Sequence, residues 1–191
     1  MLLGIVVANT VGSPRVAAPG VRFAVQRVRR LGIVLLGARL SLAAIIAIGL
    51  DAPGLVVACM TLALAVALLV GRIFALPSRL ALLIGVGTAV CGNTAIVATA
   101  PVIKADEREV SYAVATITLF GTLAVFAYPF IGRALGLSDA DFGTWAGVAV
   151  NDTSQVVAAS SAYSPEARDV ATVVKLIRNA LMAPLIVLIA W

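Results

Sequence analysis

A run of five polar residues interrupts an apolar stretch in the second half of the chain. Its members are Asn151, Asp152, Thr153, Ser154 and Gln155. If such a run lies within a bilayer, its carboxylate costs about 2.5 to 3.5 kcal/mol on insertion scales, so an acid in this position indicates function. We predict that Asp152 binds a coupling cation, H⁺ or Na⁺. The alternative is a hydrated loop between two separate half-elements.

A second segment, residues 85–94 (GVGTAVCGNT), combines three glycines with an asparagine and two threonines. Glycine loosens a helix, and backbone groups freed in this way cannot stay unpaired in hydrocarbon. One interpretation is a broken helix whose exposed amides bind an anionic group. The other is close packing of a small-residue helix. The sequence leaves the two interpretations equal.

Three cations lie inside apolar segments: Arg39, Lys175 and Arg178. Lys175 and Arg178 are three residues apart and share one face of a helix. We predict that these cations hold an anionic substrate or pair with Asp152. The alternative for Lys175 and Arg178 is that their long side chains extend to the membrane surface.

The residue types that are missing exclude several kinds of chemistry. The chain has no histidine, and its two cysteines, Cys59 and Cys91, form no C-x-x-C pair. Ser-His-Asp catalysis, H-E-x-x-H zinc chemistry and a histidine proton relay are therefore excluded within this chain, and no phosphate-binding loop is present. We predict no enzyme, cofactor or metal site. A membrane enzyme using Asp152 is disfavoured because no second intramembrane carboxylate could form a dyad with it.

The elements that must position these residues are predicted from composition. Hydrophobic residues make up 62% of the 191 residues and charged residues 12%, against about 45–50% and about 25% in soluble domains. The mean hydropathy is +1.10. We therefore predict a multi-pass protein of the bacterial inner membrane, with the lipid bilayer as its solvent. A truncated helix (1–9) precedes six spans, which cover residues 31–50, 53–70, 80–103, 110–130, 142–163 and 171–191.

Charge and repetition give the predicted topology. The net charge of +5 comes mostly from arginines in short loops, which indicates sidedness and not a nucleic-acid partner. If every span crosses once, eight basic residues fall on one side (10–30, 71–79 and 131–141) and three on the other, so the first side is predicted to be cytoplasmic. A shift of 60 residues aligns 87–110 with 147–170. The crossing count predicts the same orientation for both copies.

Several motifs, in order, resemble one family. They are LGIVLLGARL (31–40), CGNTAI (91–96), APVIK (100–104), LFGT (119–122), WAG (145–147), residues 152–159 and VKLIR (174–178). The chain resembles the YeiH-type membrane proteins of bacteria, which commonly carry a sulfate-exporter name. The resemblance covers nearly the whole chain. Two departures are Asn151, where the family usually has histidine, and a shorter length, from which we expect further helices at both ends.

The resemblance implies an all-α polytopic transmembrane bundle with broken, crossing helices, distantly similar to the bile acid–sodium symporters. By that analogy the crossing is lined by Gly92, Asn93, Thr94, Asn151, Asp152, Thr153 and Gln155. We predict a secondary transporter of sulfate or a small organic acid that works by alternating access, and a homo-oligomer is compatible with it. The alternatives are a passive channel and a truncated protein without function.

Overall fold

Eight helices make up the part of the protein that the computed structural model describes, residues 51–191. The predicted helix 1–9, the span 31–50 and Arg39 lie outside the described residues. The helices are α1 (Asp51–Ile73), α2 (Ser78–Ala89), α3 (Asn93–Thr99), α4 (Glu107–Ala134), α5 (Asp139–Ala149), α6 (Thr153–Ser161), α7 (Pro165–Ala180) and α8 (Met182–Ala190).

Three stretches of helix are long and apolar enough to cross a membrane. They are Gly54–Ile73, Glu107–Ala134 and Pro165–Ala190, with mean hydropathies of 2.5, 1.9 and 2.0. Large apolar side chains such as Leu69 and Phe126 stay exposed on α1 and α4, as expected where lipid is the solvent. The prediction of an all-α polytopic membrane protein with broken helices is confirmed.

Helices α2 and α3 form a helical hairpin, which we call hairpin 1, with its tip at residues 90–92. A Cβ atom placed on Gly87 would lie 2.9 Å from Cδ1 of Ile96. In one straight helix these two residues would be about 13 Å apart. Leu83, Ile96 and Ala100 share one buried cluster, so α3 runs back along α2. Gly92 permits the reversal because its φ is +68°, where a side chain would be strained.

Helices α5 and α6 form a second hairpin, hairpin 2, with its tip at residues 150–152. The rings of Phe142 and Tyr163 stack with their centroids 3.9 Å apart. A straight helix would separate these residues by about 31 Å. The Tyr163 hydroxyl donates to the Leu137 carbonyl at 2.5 Å, and Ser164 donates to Asp139 at 2.6 Å. The two outer ends of hairpin 2 therefore lie together.

The 28-residue helix α4 joins the two hairpins and is about 42 Å long. Hairpin 1 packs on its first half, where Ile96 shares a buried cluster with Ala113 and Ile117. Hairpin 2 packs on its second half, where a Cβ on Gly132 would overlap the ring of Phe142. The outer ends of the hairpins thus lie at opposite ends of α4, and both tips point towards its middle.

Two predicted spans, 80–103 and 142–163, differ from the structure. Each of these spans is a hairpin that begins and finishes at the same end of α4, so neither one crosses the membrane as a single helix. Hydropathy could not separate these cases, because two arms of about ten residues contain as many apolar residues as one crossing of about 20. The loops regroup accordingly, and the eight-to-three distribution of basic residues no longer assigns a cytoplasmic side.

The orientation predicted for the internal repeat also changes. With hairpins in place of crossings, α4 is the one crossing between the starts of the two copies. Helices α2–α4 and α5–α7 therefore run in opposite directions, as in the inverted repeats of many transporters. The tips, at residues 90–92 and 150–152, are 60 residues apart, which is the offset seen in the sequence.

Candidate functional site

The tips of the two hairpins meet beside the middle of α4. A Cβ on Gly92 would lie 3.4 Å from the backbone carbonyl of Asn151. From hairpin 1, the Asn93 side-chain amide donates to the Thr118 hydroxyl at 3.0 Å. From hairpin 2, the Gln155 amide donates to the Thr118 carbonyl at 3.4 Å. Side chains from both tips therefore converge on Thr118.

Asp152 begins the return arm of hairpin 2 as the N-cap of α6. Its Oδ1 accepts hydrogen bonds from the backbone N–H of Ser154 at 2.9 Å and from the Ser154 hydroxyl at 2.5 Å. Gln155 accepts from the Asp152 backbone N–H at 3.4 Å, which completes a capping box. The pattern Asp-x-x-Gln thus explains why a new helix begins here and why Asp152, which is 8% exposed, is tolerated in the interior.

Lys175 connects the two tips through their backbone carbonyls. Its ammonium group donates to the carbonyls of Val90 at 2.9 Å, Val150 at 3.0 Å and Asn151 at 2.5 Å. Val90 and Val150 are the C-caps of α2 and α5, where each helix dipole ends with partial negative charge. One buried positive charge therefore stabilises the ends of both descending arms, and it uses all three of its N–H groups.

Arg178, one turn further along α7, also connects the two hairpins through backbone carbonyls. Its guanidinium donates to five carbonyls, two in hairpin 1 and three in hairpin 2. The alternative that Lys175 and Arg178 extend to the membrane surface is wrong, because they are 0% and 2% exposed. Both lie at the tips, as predicted for site residues, but they point at carbonyls. Their role as substrate ligands stays a prediction.

Six of the predicted site residues lie at the tips or within three residues of them: Gly92, Asn93, Asn151, Asp152, Thr153 and Gln155. Thr94 follows on α3 and is exposed. Sequence reasoning missed Thr118, Thr122 and Asn179, which contact the tips from α4 and α7. A signal was present in α4, since Thr118 and Thr122 are four residues apart on one helix face and flank Gly121.

Gly121 provides a test of how closely hairpin 2 packs on α4. A Cβ there would overlap the side-chain amide of Gln155. We expect Gly121→Ala to displace the Gln155 amide from Thr118 and Thr122 and to destabilise the protein by about 1 kcal/mol through the lost hydrogen bonds, measured by thermal unfolding in detergent. Adding Gln155→Ala removes the clash and should recover part of the loss.

Gly54→Ala is the matched control for this substitution. Gly54 lies in α1, and its added Cβ would meet nothing within 4 Å. We expect an unchanged or slightly higher melting temperature, because alanine favours a helix over glycine by about 1 kcal/mol. Equal melting temperatures for Gly54→Ala and Gly121→Ala would contradict the close contact between α4 and hairpin 2.

Comparison with known proteins places the chain in a family. Residues 1–191 match the family described as Conserved hypothetical protein 698. The chain belongs to this family. It is 39% identical over its whole length to a UPF0324 membrane protein of Yersinia pestis, and 38% identical to the UPF0324 inner membrane protein YeiH of Escherichia coli K12. A UPF0324 membrane protein of Streptococcus pneumoniae R6 is 39% identical over 90% of the chain.

The chain spans about half the length of these relatives, with 55%, 56% and 52% of each covered. No solved structure matches it. The predicted membership of the YeiH-type family is confirmed. The names of the chain's relatives and its three candidate spans also confirm that the protein is a multi-pass protein of the inner membrane. The likeness to bile acid–sodium symporters stays a prediction.

Proposed function

We propose that this chain forms the substrate-binding core of a secondary transporter that moves a small anion, sulfate or an organic acid, by alternating access. The observation that carries the proposal is the meeting of two helical hairpins from opposite ends of α4 at one buried polar site. Broken helices that meet at mid-membrane are the usual place for solute and ion binding in transporters. A site reached by hairpins from both sides can open towards either one.

The cation half of the proposed site is the tip of hairpin 2. Asp152 is a carboxylate at the depth of the α4 midpoint, and it is 8% exposed. Burying an acid at this depth costs free energy, so its presence indicates a function. We assign it to the coupling cation, because protonation or ion binding would neutralise its charge during transport.

The anion half of the proposed site uses charge and backbone amides. Lys175 donates all three N–H groups to carbonyls, so it attracts an anion through its field and not by direct contact. A direct contact comes from Asn93 at the start of α3, because the Gly92 N–H already donates to the Gly87 carbonyl at 3.0 Å. Arg39, predicted to contact the anion, lies outside the described residues.

Electrogenic transport tests the proposal. We expect proteoliposomes containing the chain to give saturable currents on solid-supported membranes when sulfate, sulfite or a small carboxylate is offered under a Na⁺ or pH gradient. Asp152→Asn should lower the current at least about tenfold, because the neutral amide can neither take up a proton nor balance the charge of Na⁺.

Asp169→Asn is the matched control, since Asp169 lies on the exposed surface of α7 with its side chain 66% exposed. It should carry the wild-type current. Well-inserted protein that carries no current with any of these anions would refute the proposal for this chain. A current that rises linearly without saturation would support a channel instead.

A further inference from the structure

Three buried side-chain oxygens accept no hydrogen bond within the described part of the chain: Thr99 Oγ1, Asn151 Oδ1 and Asn179 Oδ1. Such atoms are rare in folded proteins, because leaving a buried acceptor unpaired costs about 1–3 kcal/mol. Asn151 belongs to the tip of hairpin 2, and Asn179 contacts that tip from α7. Two of the three unpaired oxygens therefore border the same site.

The contacts around Asn179 define this group. Its side-chain N–H donates to the Thr153 hydroxyl at 3.3 Å, and Thr153 itself is 8% exposed. Lys175, one turn earlier on the same face of α7, donates to the Asn151 carbonyl at 2.5 Å. The face of α7 that carries Lys175 and Asn179 thus lies against residues 151–153. Both unpaired oxygens belong to residues next to Asp152, since Asn151 precedes it in the chain and Asn179 contacts Thr153, which follows it.

The chemistry of this group is that of a hard cation site. It offers amide, hydroxyl and carboxylate oxygens, the ligands that hard cations prefer. This group contains one carboxylate, and the described residues contain no set of three acidic, cysteine or histidine side chains placed to hold a metal ion, so the charge fits a monovalent ion. The positive charges of Lys175 and Arg178 face the carbonyls of the arms. A proton would bind to the carboxylate alone, so it would leave the Asn151 and Asn179 side-chain oxygens without a partner.

We infer that Asn151, Asp152, Thr153 and Asn179 form a Na⁺ site at the tip of hairpin 2. This inference rests on the proposed function and deepens it, because it makes Na⁺ and not H⁺ the coupling ion. The ion supplies the missing partner for the Asn151 and Asn179 oxygens. It also links hairpin 2 to α7, so that binding stabilises one arrangement of the tips.

Thermal unfolding of the purified chain without substrate tests the site. Na⁺ is titrated at constant ionic strength against choline, with K⁺ titrated in parallel. We expect Na⁺ to raise the melting temperature in a saturable way and K⁺ to have no such effect. Asn179→Ala and Asn151→Ala should each raise the half-saturating Na⁺ concentration by about tenfold or more.

Two variants keep the test decisive. Thr99→Val removes the third unpaired oxygen, in α3, and should leave the Na⁺ titration unchanged. Asn179→Asp retains an oxygen ligand and should keep the Na⁺ response, which separates lost ligation from lost folding if Asn179→Ala unfolds. Equal stabilisation by K⁺ or choline, or an unchanged Na⁺ titration in both alanine variants, would overturn the inference.

The two proposals fail in different ways. Anion currents driven by a pH gradient, with no stabilisation by Na⁺, would overturn the Na⁺ site and leave the transporter standing. Selective Na⁺ stabilisation without any anion current would support the site and refute anion transport by this chain.

Discussion

Arg178→Met is expected to be among the most destabilising single substitutions in the described part of the protein. Arg178 is 2% exposed, and its guanidinium makes six hydrogen bonds to five carbonyls in the descending arms of both hairpins. Hydrogen bonds between membrane helices average about 0.6 kcal/mol, so six of them contribute about 4 kcal/mol. Methionine fills much of the volume and satisfies none of the carbonyls.

The reason for so large an effect is the arrangement of the two helix ends. The C-terminal ends of α2 and α5 both carry partial negative charge, and both point at α7. Without the guanidinium, the last-turn carbonyls of both helices would lose their donor, because Lys175 reaches only the carbonyls of Val90, Val150 and Asn151. Removing a buried charge does recover its desolvation cost, but here the loss of six hydrogen bonds outweighs that recovery. We expect the melting temperature to fall by about 10 °C, given 2–4 °C per kcal/mol for a chain of this size.

Two further variants separate charge from geometry. Arg178→Lys keeps the charge but loses the planar fork that reaches both arms, so it should be intermediate. Arg168→Met, on the same helix, removes a partly exposed arginine that pairs with its neighbour Asp169, and it should melt close to the wild type. An Arg178→Met protein that melts like Arg168→Met would contradict the role assigned to Arg178.

The positions of the tips could be predicted from the sequence. Glycine at residue 92 and the polar run from Asn151 to Gln155 stand out because both interrupt apolar stretches. Each has a local physical cause: Gly92 takes a left-handed backbone conformation, and Asp152 forms a capping box with Gln155. Local chemistry of this kind is written in neighbouring residues, so a break at each position was one of the interpretations that the sequence allowed.

The direction in which each arm continues after its break could not be predicted. Whether α6 runs on from α5 or folds back depends on contacts such as the stack of Phe142 on Tyr163, 21 positions apart. The roles of Lys175 and Arg178 were hidden for the same reason. Their carbonyl partners lie 24 to 90 positions away, and a carbonyl has no signature in the sequence. Asn179 likewise became visible only through its contact with Thr153.

The hairpin topology predicts an all-or-none labelling pattern. Cys59 and Cys91 are first replaced. A single cysteine is then introduced at Phe74 or at Lys104, which lie beside hairpin 1. All single-cysteine positions are exposed. Because α2 and α3 return to the same end, both of these positions should react with a membrane-impermeant maleimide from one side of the membrane. The measurement compares labelling in right-side-out spheroplasts with labelling in inverted vesicles.

Cysteines at Ala140 and Glu166, beside hairpin 2, should both react from the opposite side, because α4 crosses between the two hairpins. Six single crossings would instead pair Phe74 with Ala140 and Lys104 with Glu166. The two topologies therefore assign opposite partners to each position, and labelling after denaturation controls for expression. A result in which Phe74 and Lys104 react from different sides would refute the hairpins, and with them the meeting of two tips on which the transporter proposal depends.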